Sequence, residues 1–97
     1  MYKRQDKLFQ EYKKPVDFQY CAAPGSRVFV SGSFNHWDPE QYRMTDSDGN
    51  GVFKTVVELA CGRHEYKFVV NGIWHTDPNC KEDEPNEYGT RNSVIIV

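Results

Sequence analysis

The sequence lacks several things, and each absence narrows what it can be. No stretch approaches the ~18 consecutive apolar residues of a membrane span, and no apolar run of signal-peptide length follows the basic start Met1-Tyr2-Lys3-Arg4. Basic excess is missing too: 12 Lys/Arg stand against 14 Asp/Glu, a net charge of −2. Nucleic acid is therefore excluded as the main partner, since a polyphosphate binder needs cations to displace counterions. The 3 cysteines (Cys21, Cys61, Cys80) are odd in number and form no Cys-x-x-Cys pair. Free thiols in a cytoplasmic protein are the simplest expectation. No convincing helical pattern occurs after residue 14. No serine or cysteine sits in a nucleophile elbow. The carboxylates crowd into one acidic stretch instead of facing each other across a cleft, as general acid–base work requires. No enzyme is read here, and no cofactor.

What is present suits a folded domain. The 97 residues are 38% hydrophobic and 14% aromatic, enough for one core without staples. Residues 1–14 form a basic arm, with five Lys/Arg against Asp6 and Glu11. Leu8, Phe9 and Tyr12 fall there at helical spacing, and Lys14-Pro15 ends the arm. From 15 to 97 the pattern is that of strands. Val16, Phe18 and Tyr20 alternate with Asp17 and Gln19. Arg27–Ser31 is a second strand, and Tyr42–Met44 a short third. Val52–Leu59 is rich in β-branched residues. In His64–Val70, Tyr66, Phe68 and Val70 share one face and Glu65, Lys67 and Val69 the other. Asn71-Gly72 is the strongest hairpin signal in the chain and returns it through Ile73-Trp74-His75. Residues 77–87 lose all periodicity and hold five carboxylates against Lys81 alone, an exposed acidic loop. Val94–Val97 closes the chain as an apolar strand. Six to eight short strands spaced by roughly 8–12 residues predict an antiparallel all-β sandwich.

Asp46-Ser47-Asp48-Gly49-Asn50-Gly51 begins like a calcium loop, but Val57 stands at the twelfth position where a glutamate is needed, and strands flank it. It reads as a hairpin turn. His36, His64, His75 and the cysteines match no zinc spacing. The two tryptophans are the unusual feature. Trp37 lies in the polar loop Gly32-Ser33-Phe34-Asn35-His36-Trp37-Asp38-Pro39, and Trp74 follows the Asn71-Gly72 turn. One strand tryptophan is as readily core as surface. Two beside turns, among Asn35, His36, Asp38, His75 and Thr76, point to rigid aromatic platforms for a sugar or a peptide. Trp37 is expected to be substantially exposed.

Three segments carry a resemblance. Val28–Trp37, Gly62–Pro78 and Gly89–Val94 resemble, in order, the glycogen-binding domain of AMP-activated protein kinase β subunits, and more broadly carbohydrate-binding module family 48 (the early-set, isoamylase N-terminal-like domains). The resemblance runs from about Val16 to Val97. It implies an immunoglobulin-like sandwich that binds α-1,4-linked glucan (glycogen, starch, maltooligosaccharides) without cleaving it. Trp37 and Trp74 fall on the family's stacking tryptophans, Lys67 on its sugar-contacting lysine, Asn92 on its hydroxyl-binding asparagine and Thr90 on its loop threonine. Tyr88 stands where these domains usually carry a leucine, keeping an apolar contact and adding an aromatic face. A kinase or a glucan-metabolising enzyme is the implied protein partner. A regulatory or protein-interaction module with weak sugar binding is the alternative, and the basic arm is its feature to test.

Overall fold

The structure, a computed structural model, describes residues 12–80 and 82–97. It contains eight strands: β1 (Lys13–Cys21), β2 (Val28–Gly32), β3 (Tyr42–Arg43), β4 (Val52–Ala60), β5 (Arg63–Val70), β6 (Ile73–His75), β7 (Asp83–Pro85) and β8 (Arg91–Ile96), with one 3-10 turn at Ser33–Asn35. β1 and β4 pair as a two-stranded sheet. The others form a larger sheet in the order β3-β2-β5-β8-β7, with β6 also on β5. Every pairing is antiparallel. The protein is an all-β sandwich.

Alternation decides which face is buried. Val16↔Val57, Phe18↔Thr55 and Tyr20↔Phe53 set one side of the small sheet inward. They meet Val28, Val30, Tyr66 and Phe68 of the large sheet, and Met44 and Leu59 complete the core. Phe18 lies edge-on to Tyr66, ring centroids 5.0 Å apart. The Tyr66 hydroxyl donates to Asp77 Oδ2 at 2.7 Å, which ties the segment after β6 to the sandwich. Burial, and then that carboxylate, push the Tyr66 phenol well above its ordinary range.

Two expectations change. Most of the helical spacing in the arm lies in 1–11, outside the described residues. Lys13 and Lys14, assigned to the arm, instead begin β1 opposite Ala60 and Leu59. Pro15 does not stop the strand because β1 is an edge, with β4 as its one partner among the described residues, and an edge tolerates a missing N–H. The acidic stretch also contains a strand. β7 pairs with β8 through Asp83↔Ser93, Glu84↔Asn92 and Pro85↔Arg91. Both of its faces are exposed, so no apolar alternation is needed. Arg91 Nε on Asp83 Oδ1 at 2.7 Å reinforces it.

The calcium-like segment folds as a turn. Asp46 Oδ1 and Oδ2 accept the N–H groups of Asn50 and Gly51 at 3.1 and 2.7 Å. Asn71 and Gly72 have φ of 50° and 84°, the paired positive values of a type I′ hairpin. Asn71 is also stitched to Arg27 by two hydrogen bonds, of 2.8 and 2.9 Å. No helix among the described residues is long and apolar enough to cross a membrane.

Candidate functional site

The outer face of the large sheet carries the site. Opposed residues of an antiparallel pair share a face, so Phe29, Val69 and Trp74 stand in one row, and Ser31 and Lys67 in the next. β8 continues that face with Asn92 and Val94, because Glu65 opposes Val94. Two loops rise beside it. One is His36-Trp37, following the 3-10 turn; the other is Asn86–Thr90, between β7 and β8. Together they frame an open hollow of about 930 Å³. Trp37, Lys67, Trp74, Tyr88, Thr90 and Asn92 all line it, with His36, Asn86 and Glu87. All six candidate residues therefore converge on one place.

Each arrives by a separate local cause. Trp74 is delivered by the tight Asn71-Gly72 turn and is 40% exposed. Trp37 depends on Asn35, which is 6% exposed. Asn35 Oδ1 accepts the Gly32 N–H at 3.0 Å, and its Nδ2 donates to the Asp38 carbonyl at 3.2 Å. The Trp37 N–H closes the loop on the Gly32 carbonyl at 3.0 Å. Within it, His36 and Trp37 take φ of 57° and 58°, a left-handed conformation costing a side-chain-bearing residue roughly 1–2 kcal/mol. The Asn35 bonds offset that strain. Gly32 is required for space: a Cβ there would meet the Glu65 carbonyl oxygen and the Phe34 ring.

The two indoles lie 6.2 Å apart between ring centroids, with planes inclined by 55°. Neither is core. Trp37 is nevertheless half-buried, against the expectation of substantial exposure, because its loop is folded back onto β5. Tyr88 is 82% exposed at the tip of its loop. Lys67 Nζ donates to Thr90 Oγ1 at 2.9 Å. Asn92 is only 8% exposed, and both ends of its amide are engaged. Its Oδ1 accepts from Asn86 Nδ2 at 2.9 Å, and its Nδ2 donates to Glu65 Oε1 at 3.0 Å. These bonds, Asn92 first and then the Arg63 guanidinium at 2.8 Å, hold the Glu65 carboxyl below its usual range.

Asn86 is the residue that sequence reasoning missed. Asn86-Glu87-Tyr88-Gly89 has the composition of an Asx turn, which was the available signal. Its reach to Thr90 and Asn92 was not readable without the fold. An arrangement of inclined aromatic faces with an amine, a hydroxyl and an amide at their rim suits the binding of a polyhydroxylated ligand.

The family model for the glycogen recognition site of AMP-activated protein kinase matches residues 14–97. The chain belongs to that family. It is a carbohydrate-binding module, not an enzyme. It is 37% identical over 87 residues to the 5'-AMP-activated protein kinase subunit beta-1 of Sus scrofa, an alignment covering 87% of this chain and 64% of that protein. Against the beta-1 subunit of Homo sapiens the identity is again 37%, covering 87% of this chain and 29% of the relative. Against the beta-2 subunit of Mus musculus it is 37% over 75% of this chain and 26% of the relative. The chain thus spans under two thirds of the length of these relatives.

Proposed function

We propose that the hollow binds α-1,4-linked glucan, such as glycogen, starch or maltooligosaccharide, and does not cleave it. The observation that carries this reading is the pair of indoles 6.2 Å apart and inclined by 55°. Flat C–H faces of successive glucose rings can lie on the two indoles if the chain curves between them, as an α-linked glucan does and a straight β-linked one does not. Lys67, Thr90 and Asn92 lie where ring hydroxyls would fall, and Tyr88 offers a further apolar face beside them. An open, wet site of this kind supports micromolar to millimolar affinity, roughly −4 to −8 kcal/mol. Many chain ends on one particle would then raise avidity. The three free thiols suit a cytoplasmic setting.

Calorimetric titration with maltoheptaose beside cellohexaose tests the reading. Binding of the first and not the second is expected; no heat with maltoheptaose would falsify it. A second reading has support from the relatives, whose names make them subunits of AMP-activated protein kinase. In it the module also docks a kinase or a glucan-metabolising enzyme, with the basic arm contributing. Deleting residues 1–12, which leaves β1 whole, should then weaken capture of that partner and leave glucan binding intact.

A further inference from the structure

We propose that Asn86 is the positioning residue that sets the hydrogen-bond polarity of the Thr90–Asn92 rim of the hollow. It makes the Thr90 hydroxyl a donor and gives the ligand a rim that wants oxygen acceptors. This rests on the glucan reading and deepens it.

Asn86 Oδ1 accepts two backbone N–H groups, from Tyr88 at 2.9 Å and Thr90 at 3.1 Å. A backbone N–H only donates, so the two fix which end of the Asn86 amide is oxygen. Its Nδ2 must then point the other way. There it donates to Thr90 Oγ1 at 2.7 Å and to Asn92 Oδ1 at 2.9 Å. The Asn86 backbone N–H also closes on the Thr90 carbonyl at 2.9 Å. All of the side chain's hydrogen-bonding capacity is spent inside the protein.

The consequence falls on its neighbours. Thr90 Oγ1 accepts from Asn86 and also from Lys67 Nζ at 2.9 Å. Both lone pairs are occupied, so the hydroxyl has only its O–H left to offer. Asn92 is oriented the same way. It accepts from Asn86 and donates to the Glu65 carboxylate, and it keeps one N–H and one lone pair. Lys67 keeps two N–H groups. Lys67, Thr90 and Asn92 together therefore present four donors (two from Lys67, one each from Thr90 and Asn92) against one acceptor. Hydroxyl and ether oxygens of a glucose unit supply that complement through their lone pairs. The orientation passes from two backbone N–H groups through Asn86 to Thr90 and Asn92, without Asn86 needing to touch the sugar.

Asn86→Asp isolates the effect. A carboxylate still accepts the Tyr88 and Thr90 N–H groups, so the turn is retained. Its second oxygen now faces Thr90 Oγ1 and accepts a hydrogen bond from that hydroxyl, and it repels Asn92 Oδ1. Asn86→Ser is the companion variant, keeping an acceptor for the turn and deleting the amide donor. The experiment is a double-mutant cycle with Thr90→Ala, read by calorimetric titration with maltoheptaose and accompanied by thermal unfolding of each variant. In the native background Thr90→Ala should weaken binding about five-fold, and Asn86→Asp about ten-fold. In the Asn86→Asp or Asn86→Ser background, Thr90→Ala should change affinity by less than about two-fold, because the donor it removes is no longer aimed at the ligand. A merely structural role for Asn86 would leave the Thr90→Ala loss the same in both backgrounds, and that result overturns the inference. So does native-like affinity in both position-86 variants. Failure of the unmodified protein to bind maltoheptaose would sink the glucan reading, and this inference with it.

Discussion

Asn35 and Asn86 sit in the two loops that frame the hollow and use the same amide on different kinds of partner. Asn35 is buried; its Oδ1 accepts the Gly32 N–H and, at 3.4 Å, the hydroxyl of fully buried Ser31, and its Nδ2 donates to the Asp38 carbonyl, so none of its partners faces the ligand. Asn86 is half-buried. Its Oδ1 also holds backbone, but its Nδ2 goes to Thr90 and Asn92, side chains that face the ligand. An amide spent on backbone and a buried hydroxyl fixes a shape, here the left-handed path that seats Trp37. An amide spent partly on side chains that face the ligand fixes a polarity as well. Damage to the first should therefore appear in stability and binding together, and damage to the second mainly in binding.

Asn35→Ala should have the largest effect. It leaves the Gly32 N–H and the Asp38 carbonyl without their partner and releases the strained His36-Trp37 backbone. A loss of about 2–3 kcal/mol of stability is expected. For a domain of this size that lowers the thermal midpoint by roughly 10–20 °C. Differential scanning calorimetry decides it. A midpoint within about 3 °C of the parent would mean that Asn35 is dispensable and would dissolve the contrast with Asn86.

The tryptophans sharpen the same contrast. Trp74 stands on β6 and is partly open, so Trp74→Ala should cost about 2 kcal/mol or more of glucan affinity with the midpoint nearly unchanged. Trp37 is seated in the Asn35 loop. Trp37→Ala should lose comparable affinity and also about 1 kcal/mol of stability, because a half-buried ring leaves packing behind. Titration paired with thermal unfolding separates the two. Unchanged binding in Trp74→Ala would move the site elsewhere; undiminished stability in Trp37→Ala would show that its ring is not seated.

The legible parts of the molecule were those with a strong local rule. Period-2 alternation fixed β1, β4 and β5 and put Lys67 on the face opposite Tyr66 and Phe68, and Asn-Gly chemistry marked the turn that delivers Trp74. β7 was illegible because Asp83-Glu84-Pro85 is an edge strand exposed on both faces, with no apolar residue to alternate. The start of β1 was missed because Lys14-Pro15 marks the end of a helical pattern, while the extended backbone that proline imposes on the residue before it equally suits an edge strand. The half-burial of Trp37 depends on Asn35 and on the close approach of Gly32 to β5, which no local pattern encodes. Asn86 and Asn92 are six residues apart, yet the rim they organise is completed by a third element, β5, through Lys67 on Thr90 and Glu65 on Asn92.

Glu65 joins the two loops and gives the smallest test. Its backbone exchanges hydrogen bonds with Ser33 Oγ, in the Trp37 loop, at 3.1 and 3.4 Å. Its carboxylate accepts from Asn92, at the end of the Asn86 chain, and from Arg63. Those donors, Asn92 first, lower its folded-state pKa. A depressed carboxylate pKa contributes stability that is fully present above the unfolded value, near ~4.3, and is lost as pH falls through the folded one. The protein should thus lose stability on acidification below about pH 4.5, and Glu65→Gln, whose side chain does not titrate, should lose it less steeply. Above about pH 6 the two should differ little, since an exposed ion pair such as Arg63–Glu65 contributes 1 kcal/mol or less. The amide oxygen of the variant can still accept from Asn92, so glucan affinity at neutral pH should stay within about two-fold. Chemical denaturation at a series of pH values gives both curves. Parallel curves would show that Glu65 is only a scaffold for its backbone, which would leave the Asn86 chain ending at Asn92 and the two loops joined through the strand alone.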